Sequence, residues 1–230
     1  MTTLIIARHG NTFNPDDTPT RVGARTDLPL VEKGREQARA LGRYIKEHNL
    51  IPDVVYSSKL RRTIQTAEIA IKETGVSNPI FQLDIFNEID YGPDENKPEE
   101  EVIARIGADA IKAWDEHAIV PVGWQACPQD IIQSWYDFAA QIIKPCHPER
   151  REGSNLLKID PSLATLVQDD KTEDIVLVVT SNGIARFAPY ITGDFDAFRR
   201  SYPLKLSTGA LGILKHTSLG WSVKNWNIRP

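Results

Sequence analysis

The sequence predicts an α/β fold in which a mostly parallel sheet is flanked by helices. Short apolar runs typical of buried strands, such as Asp174 to Thr180, recur along the 230-residue chain. Between them lie longer segments with apolar residues at helical spacing, such as Ala38, Leu41 and Ile45. Strands that alternate with helices imply parallel pairing through crossover helices, and the length fits one large domain or two small ones.

The predicted elements follow in order along the chain. Strands are predicted at residues 4–7, 53–56, 80–83 and 174–180, with two final strands at 209–215 and 221–226. Helices are predicted at about 32–48, 60–73, 99–117 and 130–143, and helix-like sequence runs from 184 to 191. Ser57 or Ser58 is placed to cap the second helix. We expect an ordered loop at 84–98 and polar surface connections at 145–173.

The composition narrows the classes of function. Hydrophobic residues make up 41% of the chain and charged residues 25%, which is ordinary for a globular protein. The formal net charge of -4 favours neither nucleic acid nor an anionic membrane as a partner. No apolar run reaches the ~20 residues that are needed to cross a bilayer. The first residues lack a basic region, so we expect no signal peptide and a cytoplasmic protein.

The chain has two cysteines, Cys127 and Cys146. They have no metal-ligand spacing, and a cytoplasmic chain would keep them reduced, so we interpret them as buried or incidental. We therefore expect neither a metal nor another cofactor. A homodimer is compatible with the sequence.

Arg8, His9 and Gly10 follow directly after the first predicted strand. The end of such a strand faces the usual ligand crevice of an α/β sheet. A neutral imidazole can attack phosphorus, and an arginine can hydrogen-bond two phosphoryl oxygens. We expect Gly10 to let the backbone approach a ligand closely. The alternative for this triplet is a helix cap or a hydrogen-bonded core histidine.

Three further segments carry groups that suit phosphoryl transfer. Arg62 lies early in the second helix, where free N–H groups favour anions. Glu88 lies in the loop 84–98, where it could donate a proton to a leaving oxygen and later take one from water. Asn182 follows the strongest strand pattern and opens a helix, which is another type of anion site.

Each of these segments also has an ordinary structural interpretation. A basic stretch at the start of a helix is often a solvated surface, and we favour that interpretation for Lys59 and Arg61. Acidic loop residues are usually solvated as well. Asparagine is among the best N-cap residues, so Asn182 could simply begin its helix.

Taken in order, the segments resemble the motifs of the histidine phosphatase superfamily, the phosphoglycerate mutase-like family. Residues 8–12 match its Arg-His-Gly-(Glu/Gln)-Thr hallmark with Asn11 in the fourth place, and 23–38 match its Gly-x-x-Asp-x-Pro-Leu-x-x-x-Gly-x-x-Gln-Ala stretch with one extra residue between Gly23 and Asp27. Residues 57–67 match Ser-Ser-x-Leu-x-Arg-x-x-x-Thr-Ala, and 88–92 match Glu-x-x-(Tyr/Phe)-Gly. The resemblance covers residues 4–106 well and 174–192 in part.

The resemblance implies a three-layer sandwich of the phosphoglycerate mutase-like type, as one domain over residues 1–230. It implies that His9 forms a phosphohistidine and that Glu88 is the general acid and base. The implied phosphate-binding residues are Arg8, Asn14, Arg62 and Asn182. The implied substrate-binding residues are Arg21, Gly23 and Tyr91. The implied partner is a small phosphorylated substrate, with no metal.

Two positions depart from the family pattern. Asn182 stands where the family has a second histidine that hydrogen-bonds the transferring phosphoryl group. A neutral amide can donate a hydrogen bond but carries no charge, and a deficit of ~1–2 kcal/mol would slow the reaction roughly five- to thirtyfold. Ile89 stands where the mutase branch has an arginine for the substrate's second anionic group. Its absence favours a phosphatase over a mutase.

Residues 120–173 match no motif of the family. They contain Trp124, Trp135, Tyr136 and Phe138, which we interpret as core or interface. The alternative is an insertion that caps the site and selects the substrate. The sequence thus leads to a phosphomonoesterase with a phosphohistidine intermediate. Its alternatives are a catalytically impaired phosphate-binding pseudo-enzyme and, below that, a sugar-phosphate mutase or bisphosphatase.

Overall fold

The computed structural model describes residues 1–143 and 173–230. Its strands are β1 (Thr2–Arg8), β2 (Val54–Ser57), β3 (Ile80–Gln82), β4 (Asp174–Thr180), β5 (Leu211–Thr217) and β6 (Gly220–Ile228). They form one sheet in the order β3-β2-β4-β1-β5-β6. The first four strands along the chain are parallel, and β5 and β6 add an antiparallel hairpin at one edge. The predicted mostly parallel α/β sheet is therefore confirmed.

The described helices are α1 (Glu32–Glu47), α2 (Arg61–Thr74), α3 (Glu99–Ile106), α4 (Ala108–His117), α5 (Pro128–Ile142), α6 (Asn182–Ala185) and α7 (Phe195–Ser201). The sheet separates two apolar clusters because successive strand side chains point to opposite faces. Ile5 of β1 belongs to the cluster under α1 and α2, whereas Leu4 belongs to the cluster with Trp135 and Phe138 of α5. The sheet is thus the middle layer of a three-layer sandwich.

The carboxyl ends of three neighbouring parallel strands, β2, β4 and β1, lie side by side. The N–H of His9, just after β1, donates to the carbonyl oxygen of Thr180 at 3.1 Å. The N–H of Ser58, just after β2, donates to the carbonyl oxygen of Val179 at 3.2 Å. The residues that follow β1, β2 and β4 are therefore neighbours, as expected for a ligand crevice in an α/β sheet.

The structure corrects three local predictions. The single helix predicted at 99–117 is two helices, α3 and α4, because Gly107 between them has a φ of 85° and interrupts the helical conformation. Neither serine is the N-cap of α2: Leu60 holds that position, and the Ser58 hydroxyl accepts from its N–H at 3.2 Å. The short helix α7 was not predicted; the Asp194 side chain caps it.

Within residues 1–143 and 173–230, the structure shows neither a membrane-spanning helix nor a group of side chains placed to hold a metal ion. None of the helices there is both long enough and apolar enough to cross a bilayer. In the same ranges, no group of three His, Cys, Asp or Glu side chains is placed to hold a metal ion. Cys127 is an exposed free thiol, so it is not buried, and Cys146 lies outside the described residues.

Candidate active site

His9 lies at the end of β1 in the form that a nucleophile requires. Its Nδ1 is 2.8 Å from the carbonyl oxygen of Gly10, and a carbonyl can only accept, so we assign the ring proton to Nδ1. Nε2 then keeps its lone pair. Burial, together with Arg62 and Arg8, holds the pKa of His9 well below its usual range. The imidazole is therefore neutral at neutral pH and able to attack phosphorus.

Gly10 is required by the packing of the loop against α1. A Cβ at Gly10 would lie 2.3 Å from the carbonyl oxygen of Gly34, and a Cβ at Gly34 would lie 2.1 Å from that of Asn11. The Gly10 N–H donates to the Thr66 hydroxyl of α2 at 3.1 Å. Gly10 thus allows a close approach to α1, which fixes the loop that carries His9, and its approach to a ligand stays a prediction.

Arg62 is fully buried in the first turn of α2 and crosses to the loop after β1. Its guanidinium donates to the carbonyl oxygens of Thr26 at 2.8 Å and Gly23 at 3.1 Å. Its Nε is buried without an acceptor among the residues described. Burial lowers the pKa of Arg62, and the charge of Glu88 opposes that effect. A buried N–H without an acceptor is a group that a bound anion could satisfy.

Arg8 resembles Arg62 in this respect. One of its terminal nitrogens donates to the carbonyl oxygen of Leu206 at 2.7 Å. Its Nε, like that of Arg62, finds no acceptor within 1–143 and 173–230. The two predicted phosphate-binding arginines therefore each keep a buried donor, and both lie near enough to His9 to lower its pKa.

Glu88 is buried, and two main-chain donors hold its carboxyl group. Oε1 accepts from the Ile89 N–H at 2.9 Å, and Oε2 accepts from the Gly183 N–H at 3.1 Å. A Cβ at Gly183 would lie 2.1 Å from Oε1, so only glycine leaves room for this carboxyl group. Each oxygen retains a second lone pair, which proton transfer can use.

Asn182 is the first residue of α6, and the preceding Ser181 is the N-cap, so the N-cap interpretation of Asn182 is wrong. Its Oδ1 accepts from the Leu206 N–H at 2.9 Å. Its Nδ2 makes no hydrogen bond with any described residue and is free to donate. The carbonyl oxygen of Leu206 accepts from Arg8, so one residue orients both side chains.

The three predicted substrate-binding residues adjoin one another. The carbonyl oxygen of Gly23 accepts from Arg62, and a Cβ at Gly23 would lie 2.6 Å from Cδ2 of Tyr91. The Arg21 guanidinium lies 5.3 Å from the centroid of the Tyr91 ring and pairs with Glu99. Burial raises the pKa of Tyr91, so its hydroxyl remains a donor. Contact of these residues with a substrate stays a prediction.

The structure does not bring Asn14 into this cluster. Asn14 is exposed, and its backbone N–H and its Nδ2 donate to Asp17 at 2.6 and 3.0 Å. Its predicted phosphate contact would require that pairing to break. Ile89 packs in the apolar core, which agrees with the absence of a substrate-binding cation at this position.

Sequence reasoning missed two residues of the site. Asp27 accepts from the Arg61 N–H at 2.7 Å and so satisfies a free donor at the start of α2. Arg186 is buried four residues after Asn182 and donates from Nε to the Asn182 carbonyl oxygen at 3.3 Å. Its spacing from Asn182 was the available signal, since its other hydrogen-bond partner, Trp114, is 72 residues away.

The aromatic residues of 120–143 support the walls of the site. Trp124 packs edge-on against Tyr91, with ring centroids 4.7 Å apart. Trp135 donates from its indole N–H to the carbonyl oxygen of Ile184 in α6 at 3.0 Å. Both tryptophans and Phe138 are core residues as predicted, whereas Tyr136 is exposed. The predicted cap stays a prediction, because residues 144–172 lie outside the described part.

Several known proteins are similar to this chain. A 2,3-bisphosphoglycerate-dependent phosphoglycerate mutase of Tropheryma whipplei is 34% identical over 116 residues, which cover 50% of this chain and 51% of the mutase. Phosphoglycerate mutase 1 of Saccharomyces cerevisiae is 32% identical over 53% of this chain and 49% of its own length. The chain therefore spans about half the length of the curated relatives that it matches.

A solved structure matches nearly the whole fold. The mycobacterial glucosyl-3-phosphoglycerate phosphatase has a TM-score of 0.73 at 18% identity, with 99% of each chain covered. This likeness concerns the fold, since the identity is low. The family model of the histidine phosphatase superfamily, branch 1, matches residues 4–150, which include His9, Arg62 and Glu88. The chain belongs to the histidine phosphatase superfamily.

Proposed function

We propose that this chain is a phosphomonoesterase that transfers the phosphoryl group of a small cytoplasmic metabolite to His9 and then to water, without a metal. The observation that carries the proposal is the contact of His9 Nδ1 with the Gly10 carbonyl oxygen at 2.8 Å, which leaves Nε2 for attack, beside two arginines that with burial lower the pKa of His9. Arg8 and Arg62 add positive charge for a phosphate dianion at the same place.

In the first step, Nε2 of His9 attacks phosphorus while the bond from phosphorus to the ester oxygen breaks. Glu88, in its protonated form, gives its proton to that oxygen, and the alcohol leaves. The phosphoryl group remains on Nε2, with its oxygens next to the buried Nε atoms of Arg8 and Arg62. The Gly10 carbonyl oxygen accepts from Nδ1–H throughout and stabilises the positive charge on the ring.

In the second step, water attacks the phosphohistidine and Glu88 takes its proton. The phosphorus–nitrogen bond breaks, which returns the electron pair to Nε2 and releases inorganic phosphate. The two hydrogen bonds from Ile89 and Gly183 hold the Glu88 carboxylate in place between the steps. The same carboxyl group therefore serves as acid and then as base.

Two observations favour other functions. The curated relatives are named as mutases, and a phosphoryl group on His9 could in principle pass to a second substrate instead of water. The apolar Ile89 favours water, since it gives a second anionic group no cation at that position. The neutral Asn182 favours a phosphate-binding protein with little turnover.

The test is hydrolysis of 4-nitrophenyl phosphate by the wild type and by His9→Ala. We expect the wild type to release phosphate and His9→Ala to lose at least about a hundredfold in kcat. His48→Ala is the matched control, because the exposed His48 also bonds a carbonyl oxygen through Nδ1. Acid-labile phosphate on the wild type, absent from His9→Ala, would identify the intermediate. Equal rates for the two proteins would refute the proposal.

A further inference from the structure

Arg186 is a buried cation that the two steps above do not use. Its side chain is 1% exposed and lies directly behind the main chain of Asn182, to whose carbonyl oxygen Nε donates at 3.3 Å. A terminal nitrogen donates to the carbonyl oxygen of Trp114. The guanidinium also covers the Trp114 ring, 3.8 Å from its centroid. These contacts hold the charge in one place.

Among the residues described, no buried carboxylate forms an ion pair with Arg186, although the charge of the buried Glu88 acts on it. The nearest, Asp115, is 3.7 Å from Arg186 and its side chain is 40% exposed. The buried Asp94 pairs with Arg105. Burial lowers the pKa of Arg186, although a guanidinium keeps its proton even so. A buried cation without a buried partner is costly unless an anion binds near it.

The position of Arg186 connects it to the reacting groups. The next residue after Asn182 is Gly183, whose N–H holds Glu88. The charges of Glu88 and Arg8 both affect Arg186. The charge of Arg186 and the charges of Glu88 and Arg8 therefore act on one another, even though other residues cover Arg186. In a water-poor site, the effective dielectric is far below that of water, so a charge in the next layer still stabilises a transferring phosphoryl group.

We infer that Arg186 supplies the positive charge that Asn182 lacks, so that an amide donor and a guanidinium behind it together replace a single histidine. This inference rests on the proposed function. In it, the Asn182 Nδ2 donates to a phosphoryl oxygen, while Arg186 holds the Asn182 main chain and adds the charge. Arg186 is thus a positioning residue that does not touch the substrate.

Two other roles for Arg186 make different predictions. It could serve only to fasten α4 to α6, in which case its loss would lower stability and its effect on the rate would not depend on residue 182. It could bind a second anionic group of the substrate, in which case it would not matter for an ester with a single phosphate. The substrate 4-nitrophenyl phosphate has no second anionic group and so separates this role from the inferred one.

The experiment is a double-mutant cycle between Arg186→Met and Asn182→His with 4-nitrophenyl phosphate. We expect Arg186→Met to lower kcat about ten- to a hundredfold, as loss of a charged partner does. The same change should cost about threefold or less beside Asn182→His, because the new imidazole can carry charge. Asn182→His alone should then raise kcat by only a few-fold. An equal cost in both backgrounds, or no cost in the first, would overturn the inference.

The variant Arg186→Lys tests whether the charge matters for kcat. It would not matter if Arg186 served only to fasten α4 to α6. Arg186→Lys keeps the charge but cannot reproduce both main-chain hydrogen bonds, so it should keep kcat within a few-fold of the wild type while Tm falls. A kcat as low as that of Arg186→Met would contradict the inference. Arg200→Met, on the exposed side of α7, removes the same charge away from the site and should leave kcat unchanged.

A second variant covers the case in which Arg186→Met does not fold. Asp115→Asn removes the exposed carboxylate opposite Arg186, so inorganic phosphate should bind two- to fivefold more tightly in calorimetry. Lys205→Gln is the control, because Lys205 is the other cation near Asp115, at 3.9 Å. Unchanged affinity in Asp115→Asn would contradict the inference. Phosphate binding can be measured even in a protein that does not turn over a substrate. A wild type that hydrolyses nothing would therefore refute only the enzymatic function, and the calorimetry would still test the inference about Arg186.

Discussion

The candidate active site has two sides that are held in place in different ways: a nucleophile side with His9, Gly10 and Arg62, and an acid side with Glu88 and α6. On the nucleophile side, His9, Gly10 and Arg62 are fixed by groups from the family motifs themselves, such as Gly34 and the carbonyl oxygen of Gly23. On the acid side, the N–H groups of Ile89 and Gly183 hold Glu88, and the α6 segment depends on Trp135 and Leu206, which belong to no motif.

This difference explains where the chain departs from its family. The nucleophile side leaves no freedom, because backbone atoms fill the space around its glycines and the buried guanidinium bonds fixed carbonyl oxygens. On the acid side, part of the support for α6 comes from the side chains of Trp135 and Arg186, which can change together. Asn182 stands there beside Arg186, and both are held by contacts that lie far apart in the sequence.

The strongest test of the comparison is Gly183→Ala, at the glycine that packs against the Glu88 carboxyl group. Its methyl group would overlap Oε1 of Glu88 and displace the carboxyl group. We expect kcat for an alkyl ester such as glycerol 3-phosphate to fall at least about a hundredfold, the usual contribution of a general acid. The fall should be smaller for 4-nitrophenyl phosphate, whose leaving group needs no proton. Combining the change with Glu88→Gln should add almost nothing; an additive loss would show a different cause.

On the nucleophile side, Arg62→Lys should lower kcat/KM about ten- to thirtyfold. A lysine ammonium cannot bond the Thr26 and Gly23 carbonyl oxygens and also present a flat donor edge to a phosphate. Steady-state kinetics with 4-nitrophenyl phosphate measure the effect. The neighbouring exposed Arg61→Lys is the control and should behave as the wild type. A loss of only twofold at Arg62 would mean that this side tolerates change as well as the other.

The pH dependence of stability tests whether His9 is buried in its neutral form. The folded-state pKa of His9 is lowered, so the unfolded chain takes up a proton first as the pH falls. The contribution to stability is complete above the unfolded pKa of about 6.5 and is lost as the pH falls below it, by up to about 1.4 kcal/mol per pH unit. Urea unfolding at several pH values should show this slope in the wild type and in His48→Gln, but a smaller slope in His9→Gln.

The smallest expected effect concerns the support of α6. Trp135→Phe removes the hydrogen bond to the Ile184 carbonyl oxygen and should lower the free energy of unfolding by about 1 kcal/mol. The rate should fall a few-fold at most, because Asn182 keeps its bond to Leu206. Trp221→Phe, which is less buried, provides the comparison. A loss of stability without any change in rate would show that α6 is positioned by Leu206 alone.

Local patterns predicted the strands and most of the helices. The run from Asp174 to Thr180 is strand β4 at the predicted residues, because apolar β-branched side chains suit a strand buried on both faces. The prediction of one helix at 99–117 was wrong because Gly107 has a positive φ, which a pattern of apolar residues does not reveal. The acceptor for the Arg61 N–H at the start of α2 was also missed, because Asp27 comes from another part of the chain.

The sequence by itself predicted the groups of the nucleophile side. A strand that ends in Arg8, His9 and Gly10, with Arg62 at the family spacing, was enough to predict that these groups lie together, because each lies next to the end of a strand or the start of a helix. Only the tertiary structure decided how Glu88 and Asn182 are held and that Arg186 is buried behind them. Gly183, Leu206 and Trp114, which contact Glu88, Asn182 and Arg186 respectively, are distant from them in sequence, and no local pattern encodes a contact of that kind.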